Sequence, residues 1–336
     1  MRTVALGVML IAACADDPLA PRTFHFGPYS IQPGEERLGD CVSVTLHNEA
    51  PIFVHQVELD TGTGFHHSNW FFAPESFAEG PDGTWTCADR NFFGPVAAAF
   101  GGVLFAQSTQ ATHEVQTFPA GAATYIPAHS KILASIHLLN STDAPLNVPL
   151  SITVTPMAEK DVTTRLAATS FEDEALAIPP HATSRFSVEC DFGPKYQELF
   201  GRAPDFALYY ALPHYHALGT GLTMEAIAGD GTAETIFTTA QRIGDALGGT
   251  IDPPFQMAGR SKLRFSCSYD NPGDSTITWG FGGQEMCVFL TFTDSSYSFT
   301  GGALTPDVPG PGVVDANGVV QFTHDCQVIA QDATHF

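Results

Sequence analysis

Short apolar runs rich in β-branched and aromatic residues, separated by clusters of Gly, Pro, Asn and Asp, follow one another along the chain. That pattern predicts strands rather than helices, and stretches of the Ala/Glu/Lys/Leu type are scarce. In the first half the predicted strands are Cys41–Leu46, Ile52–Leu59, His67–Phe72, Val96–Phe105 and Lys131–Leu139, with Ile152–Pro156 closing the series. The polar stretch Ala158–Thr169 reads as a linker, and a second series begins near Ala175. It includes Phe206–Leu212, Gly219–Ile227 and Val288–Phe292. The fold class expected is all-β, built as sandwiches or barrels.

A faint repeat relates the two series. Ser130–Asn140 lines up with Ser261–Asn271, each a strand followed by a turn, and a Pro-led segment precedes a strand cysteine in both halves (Pro33 to Cys41, Pro179 to Cys190). Two related β-domains in tandem explain this, at residues 25–160 and 161–336, and 336 residues suit two domains of ordinary size. His137 falls opposite Ser268 in that alignment, so the halves share a scaffold and differ in chemistry.

The formal charge of -22 argues against nucleic acid and anionic lipid as partners, and serves solubility. At the N-terminus, Arg2 and the apolar run Val4–Ala13 have the layout of a secretory signal, too short for a spanning helix. Ile11-Ala12-Ala13-Cys14 resembles the bacterial lipobox, which implies cleavage before Cys14 and a lipid on that cysteine. Residues 1–14 are then the signal and 15–24 a tether. Ala15 is not the aspartate associated with inner-membrane retention, so the expected location is the cell envelope, at the outer membrane or cell surface, with this lipid as the one link to a membrane. Six cysteines remain: Cys41, Cys87, Cys190, Cys267, Cys287 and Cys326. An even count in an exported chain reads as disulfides, with 15 connectivities open, and no C-x-x-C pair suggests a thiolate zinc site.

Candidate chemistry rests on histidine. In the predicted strand around His214-Tyr215-His216, residues two apart share a face, so both imidazoles can meet one ion; alone, such a pair is more often plain surface or core. His66 and His67 are adjacent, and adjacent strand residues face opposite sides. They converge only if the chain is bulged, which Gly62 and Gly64 permit. Met286 lies just before a strand, where core packing is its ordinary role. A thioether is also a soft ligand suited to Cu(I), and imidazole suits both copper oxidation states. The remaining histidines (His25, His47, His55, His113, His129, His181, His324, His335) have no motif partner and read as surface or structural, with His113 the one nearest the first-half candidates.

Taken in order, His66-His67-Ser68-Asn69-Trp70-Phe71, Ile136-His137, His214-Tyr215-His216 and Glu285-Met286-Cys287 resemble the type II, ascorbate-dependent copper monooxygenases, the family of peptidylglycine hydroxylating enzymes and dopamine β-hydroxylase. The likeness spans most of the chain after residue 24. It implies two jelly-roll-type β-sandwiches with a copper cleft between them. It implies disulfides Cys41–Cys87, Cys267–Cys287 and Cys190–Cys326. It also implies two separate copper sites: His66, His67 and His137 storing electrons, and His214, His216 and Met286 as the catalytic site for O2. Two copper ions, and ascorbate or another reductant as co-substrate, follow from the same likeness, with O2 and a small molecule as substrates.

Three positions depart from the peptide-amidating members, which hold a substrate carboxylate with an arginine, a polar residue and a tyrosine. Here they are Leu212, Val288 and Leu290, so a peptidylglycine is not the expected substrate. The expected function is copper-dependent hydroxylation of a C–H bond. The alternatives are a copper-binding or copper-buffering surface lipoprotein that has lost the pocket, and a structural sandwich carrying the ligand set by coincidence.

Overall fold

A computed structural model describes residues 17–304, 310 and 312–332. The signal segment, Cys14 and His335 lie outside the described residues. In the first half the longer strands are β1 (Arg22–Ile31), β2 (Glu36–Thr45), β3 (Ile52–Thr61), β4 (Phe65–Pro74), β5 (Gly102–Ala106), β6 (His113–Thr117), β7 (Ala122–Ile126), β8 (Ser130–Leu139) and β9 (Leu146–Met157). In the second half they are β10 (Thr164–Asp173), β11 (Ala182–Asp191), β12 (Ala207–His214), β13 (Gly219–Ala228), β14 (Ala233–Thr239), β15 (Gly249–Gln256), β16 (Arg260–Asn271) and β17 (Val288–Thr293). β18 (Tyr297–Ala303), β19 (Val320–Asp325) and β20 (Gln327–Asp332) follow. The chain is all-β, as its pattern predicts.

Each half repeats one strand order. The first half has sheets β1-β9-β3-β7 and β2-β8-β4-β5, with β6 and β7 sharing one edge of β3. The second half has β10-β17-β12-β15 and β11-β16-β13-β14. Counting β6 and β7 as one broken strand, both halves read first-eighth-third-sixth against second-seventh-fourth-fifth, the double Greek key of a jelly roll. The two segments matched in sequence, Ser130–Asn140 and Ser261–Asn271, fall on the seventh strand of each set. The cysteines after Pro33 and Pro179 both fall on the second.

Trp70, Phe105 and Leu138 lie in the sealed core of the first half, and Phe171, Phe186, Phe265 and Tyr269 in that of the second. A third cluster, including Phe118, Tyr210, Leu212, Leu290 and Phe292, sits where the halves meet. There β7 and β10 pair in parallel, Ala122 opposite Thr164, so one sheet runs through both halves. Burial of each large apolar side chain in that join stabilises it by about 1.5–3 kcal/mol relative to exposure. The disulfides are Cys41–Cys87, Cys190–Cys326 and Cys267–Cys287, as the resemblance implied, and they suit an oxidising compartment. Among the described residues no helix is long and apolar enough to cross a membrane.

Three local expectations fail. Val96–Phe105 is not one strand: Gly94–Phe100 is helical, because Pro95 starts the turn and three alanines favour it, and only Gly102–Ala106 is extended. The linker is shorter than Ala158–Thr169, since β10 begins at Thr164. The expected tether 15–24 runs into β1, where Arg22, Thr23 and Phe24 already pair with β9.

Candidate metal centre

His66 and His67 open β4. Against β8, Phe65 lies opposite Leu138 and His67 opposite His137, so His66 is an extra residue in the ladder, a β-bulge. Gly64 prepares it with φ of +96°, and a Cβ there would lie 2.8 Å from Ile31 Cδ1. The bulge cancels the strict alternation that would separate the two rings. His66 is buried, with its ring centroid 4.3 Å from that of His137.

In the second half His214 ends β12, and His216 lies beyond the strand rather than within it. A carboxylate replaces strand geometry here. Glu285 Oε2 accepts the His216 N–H at 2.8 Å, and Oε1 accepts the Leu218 N–H at 2.6 Å. Gly219 closes the turn, where a Cβ would meet the Tyr215 ring at 2.1 Å. The two rings end 5.3 Å apart at 84°.

The structure does not keep the two histidine sets apart. His66 reaches His216 at 5.5 Å between centroids, and His67 reaches His214 at 4.6 Å. Five imidazoles therefore form one continuous chain across the join. The cause is the segment after β5, which is fastened to both halves. Gln110 N–H donates to the His66 carbonyl at 2.7 Å, Gly244 N–H to the Thr109 carbonyl at 3.0 Å, and Leu247 N–H to Ser108 Oγ at 2.8 Å. Thr109 Oγ1 lies 2.9 Å from His214 Nδ1.

Hydrogen bonds fix which ring nitrogens stay free. His216 Nδ1 donates to the Gln284 carbonyl at 2.8 Å, leaving the Nε2 lone pair. His137 Nε2 donates to Glu36 Oε1 at 2.9 Å, leaving Nδ1. His66 Nδ1 and His214 Nε2 are buried without a hydrogen-bond partner. All five rings are held neutral. His66 and His67 are pushed down to about 3 by burial first and then by neighbouring imidazoles, and His214 lies well below the usual range for the same reasons. Burial also lowers His137, against the opposing pull of Glu36, and His216, against its bond to Gln284. Neutral imidazoles with unshared lone pairs are metal-ligand chemistry.

Met286 is 8% exposed and lines a cavity of about 1400 Å³ together with His67, His137 and His214. Leu212, Val288 and Leu290 form part of the same wall, between the outer faces of the two halves. No three imidazoles of the cluster bring ligand nitrogens mutually within 4.8 Å; among the described residues Glu58, Asp60 and His113 do so, on the exposed face of β3 and β6. His324, expected as surface or structural, is a half-buried structural partner of Asp173, its Nδ1 2.8 Å from Oδ1.

Glu36, Thr109 and Glu285 support the histidines, and the sequence motifs named only Glu285, without a role. Glu36 and Thr109 carry no local signal, because their partners His137 and His214 lie about a hundred residues away in the chain.

No family model matches the chain, and no curated protein matches it. Among solved structures, the major capsid protein P2 from Bacteriophage PM2 aligns over 81% of this chain and 97% of its own, at 6% identity and a TM-score of 0.29. A protein of Sulfolobus Turreted Icosahedral Virus aligns over 79% and 59%, at 12% identity and 0.23. PBSX exported protein XepA aligns over 81% and 86%, at 9% and 0.22. Likeness at these scores carries no argument about function; the jelly-roll order stands on the strand pairing itself.

Proposed function

We propose that the chain is an exported copper-dependent monooxygenase that inserts one atom of O2 into a C–H bond of an apolar substrate. The observation that carries this reading is the set of unpartnered ring nitrogens, His66 Nδ1 and His214 Nε2, inside a cluster of five neutral imidazoles beside Met286. His66, His67 and His137 would hold one copper, and His214, His216 and Met286 the other, with residues 25–160 and 161–336 as the domains flanking the cleft. Bound copper would supply one-electron redox chemistry and O2 activation. The second oxygen atom leaves as water, with two electrons from ascorbate or a similar small reductant and two protons from solvent. The chain's own part is to fix ring tautomers through Glu36, Gln284 and Thr109, and to offer a sheltered apolar wall for the substrate. The exported location includes an envelope lipid anchor at Cys14.

One observation favours a second reading. Contact between the two histidine sets makes a continuous imidazole surface, which a copper-buffering protein could use without turnover. Copper-loaded protein with ascorbate in an oxygen electrode separates the two. The monooxygenase reading expects substrate-coupled O2 uptake that falls to background in Met286→Ala and His137→Ala. Two bound coppers with no coupled uptake across a broad substrate panel support buffering instead.

A further inference from the structure

The floor of the cleft is one face of the sheet β12-β17-β10, and its register sets out the chemistry in rows. Cross-strand partners share a face and lie about 5 Å apart. His214 pairs with Val288, which pairs with Glu172; Leu212 pairs with Leu290, which pairs with Ser170. Every residue of these two rows lines the cavity. Moving away from His214, the floor is therefore apolar for one step and acidic at the next, with Glu172 about 10 Å, two strand spacings, from the imidazole.

Among the described residues Glu172 has no counter-charge. The influences on its carboxyl are burial and the neighbouring carboxylate of Glu174, with no hydrogen-bond donor or cation among them. Gly302, its partner on β18, packs directly on the Glu172 backbone, where a Cβ would lie 1.9 Å from the Glu172 carbonyl oxygen, so this edge of the row is closed by backbone. Burial and then Glu174 push the Glu172 carboxyl up to about 7, so the charged form is disfavoured without a partner and is the form that a bound cation would stabilise. The volume of about 1400 Å³ exceeds the roughly 300–1,000 Å³ of pockets for drug-sized ligands.

We propose that Glu172 recognises a protonated amine, and that the cleft takes an amphiphile whose apolar body lies over Leu212, Val288 and Leu290. The amine subsite stands on the cleft alone. That the other end of the molecule reacts near His214 and Met286 rests on the monooxygenase reading.

The test uses copper-free protein at pH 8 and three probes of equal chain length, dodecylammonium, dodecanol and dodecanoate, each displacing an apolar fluorophore. The amine is expected to displace it at a concentration about tenfold or more below dodecanol, the size of one charge-assisted contact, with dodecanoate weakest. Glu172→Gln should bring the amine to the level of dodecanol and leave dodecanol unchanged, while Glu172→Asp should keep part of the preference. Equal binding of the three probes, or a preference that survives Glu172→Gln, overturns the proposal. Leu290→Arg should weaken dodecanol; unchanged dodecanol binding there removes the cleft as the binding surface. Because no copper is present, failure here leaves the metal reading standing, and failed copper loading leaves the amine site standing.

Discussion

Thr109 Oγ1 lies 2.9 Å from His214 Nδ1, and the two residues come from opposite halves of the chain. Thr109 is fully buried, and its carbonyl is itself held by Gly244 N–H. A hydroxyl at Nδ1 leaves Nε2 as the ligand atom, so the first half orients a ligand of the second.

Thr109→Val keeps the shape and removes that partner. Loss of a supporting hydrogen bond typically costs about 10–100-fold in metal affinity. Competition with a chelator should show a drop of that order for one of two coppers, with the other unchanged. A variant whose two coppers bind as in the wild type would leave Thr109 with no positioning role.

Glu285 accepts the N–H groups of His216 and Leu218, and of Met286 at 3.3 Å. Glu285→Ala leaves those donors in a closed turn without an acceptor. Each unsatisfied buried group costs about 1–3 kcal/mol. Urea unfolding should therefore lose about 3 kcal/mol or more, and the copper-free protein should show it as fully as the loaded one.

Glu114 is 1% exposed, accepts from Ser108 N–H and Oγ–H, and is pushed up to about 7 by burial. A carboxyl whose folded value lies above its unfolded value of about 4.5 keeps its proton in the folded state while the unfolded chain loses it. Its contribution is fully present below pH 4.5 and is lost as pH rises through 7. The raised value corresponds to about 3 kcal/mol, so Glu114→Gln should gain on the wild type by that order between pH 5 and pH 8. Denaturant midpoints at the two pH values check this; a constant difference would contradict it.

Much of the fold and the candidate ligand set was legible in the sequence. Alternation marks a strand where one face is drier than the other, which is why Ile52–Leu59 matches β3 closely, and a continuous apolar run at Phe206–Leu212 marks the fully buried β12. The reading fails where polar and apolar residues mix on a strand without a clear dry face. The first residues of β10, Thr164 to Thr169, include Thr164, Arg165 and Thr169, so their polarity looks like a linker. His66 required a bulge that Gly64 only permits, and Thr109 and Glu36 act on rings about a hundred residues away, a relation no local spacing encodes. Sequence order also gives no sign that rings of the two histidine sets lie within 5.5 Å of each other across the segment at 107–110.

The central claim is that the five imidazoles and Met286 are copper ligands. The most direct measurement is metal analysis of the purified, reduced chain after copper loading and removal of excess by a weak chelator. The account predicts two coppers per chain, falling to one in His137→Ala and in Met286→Ala. Less than one copper per wild-type chain would contradict it.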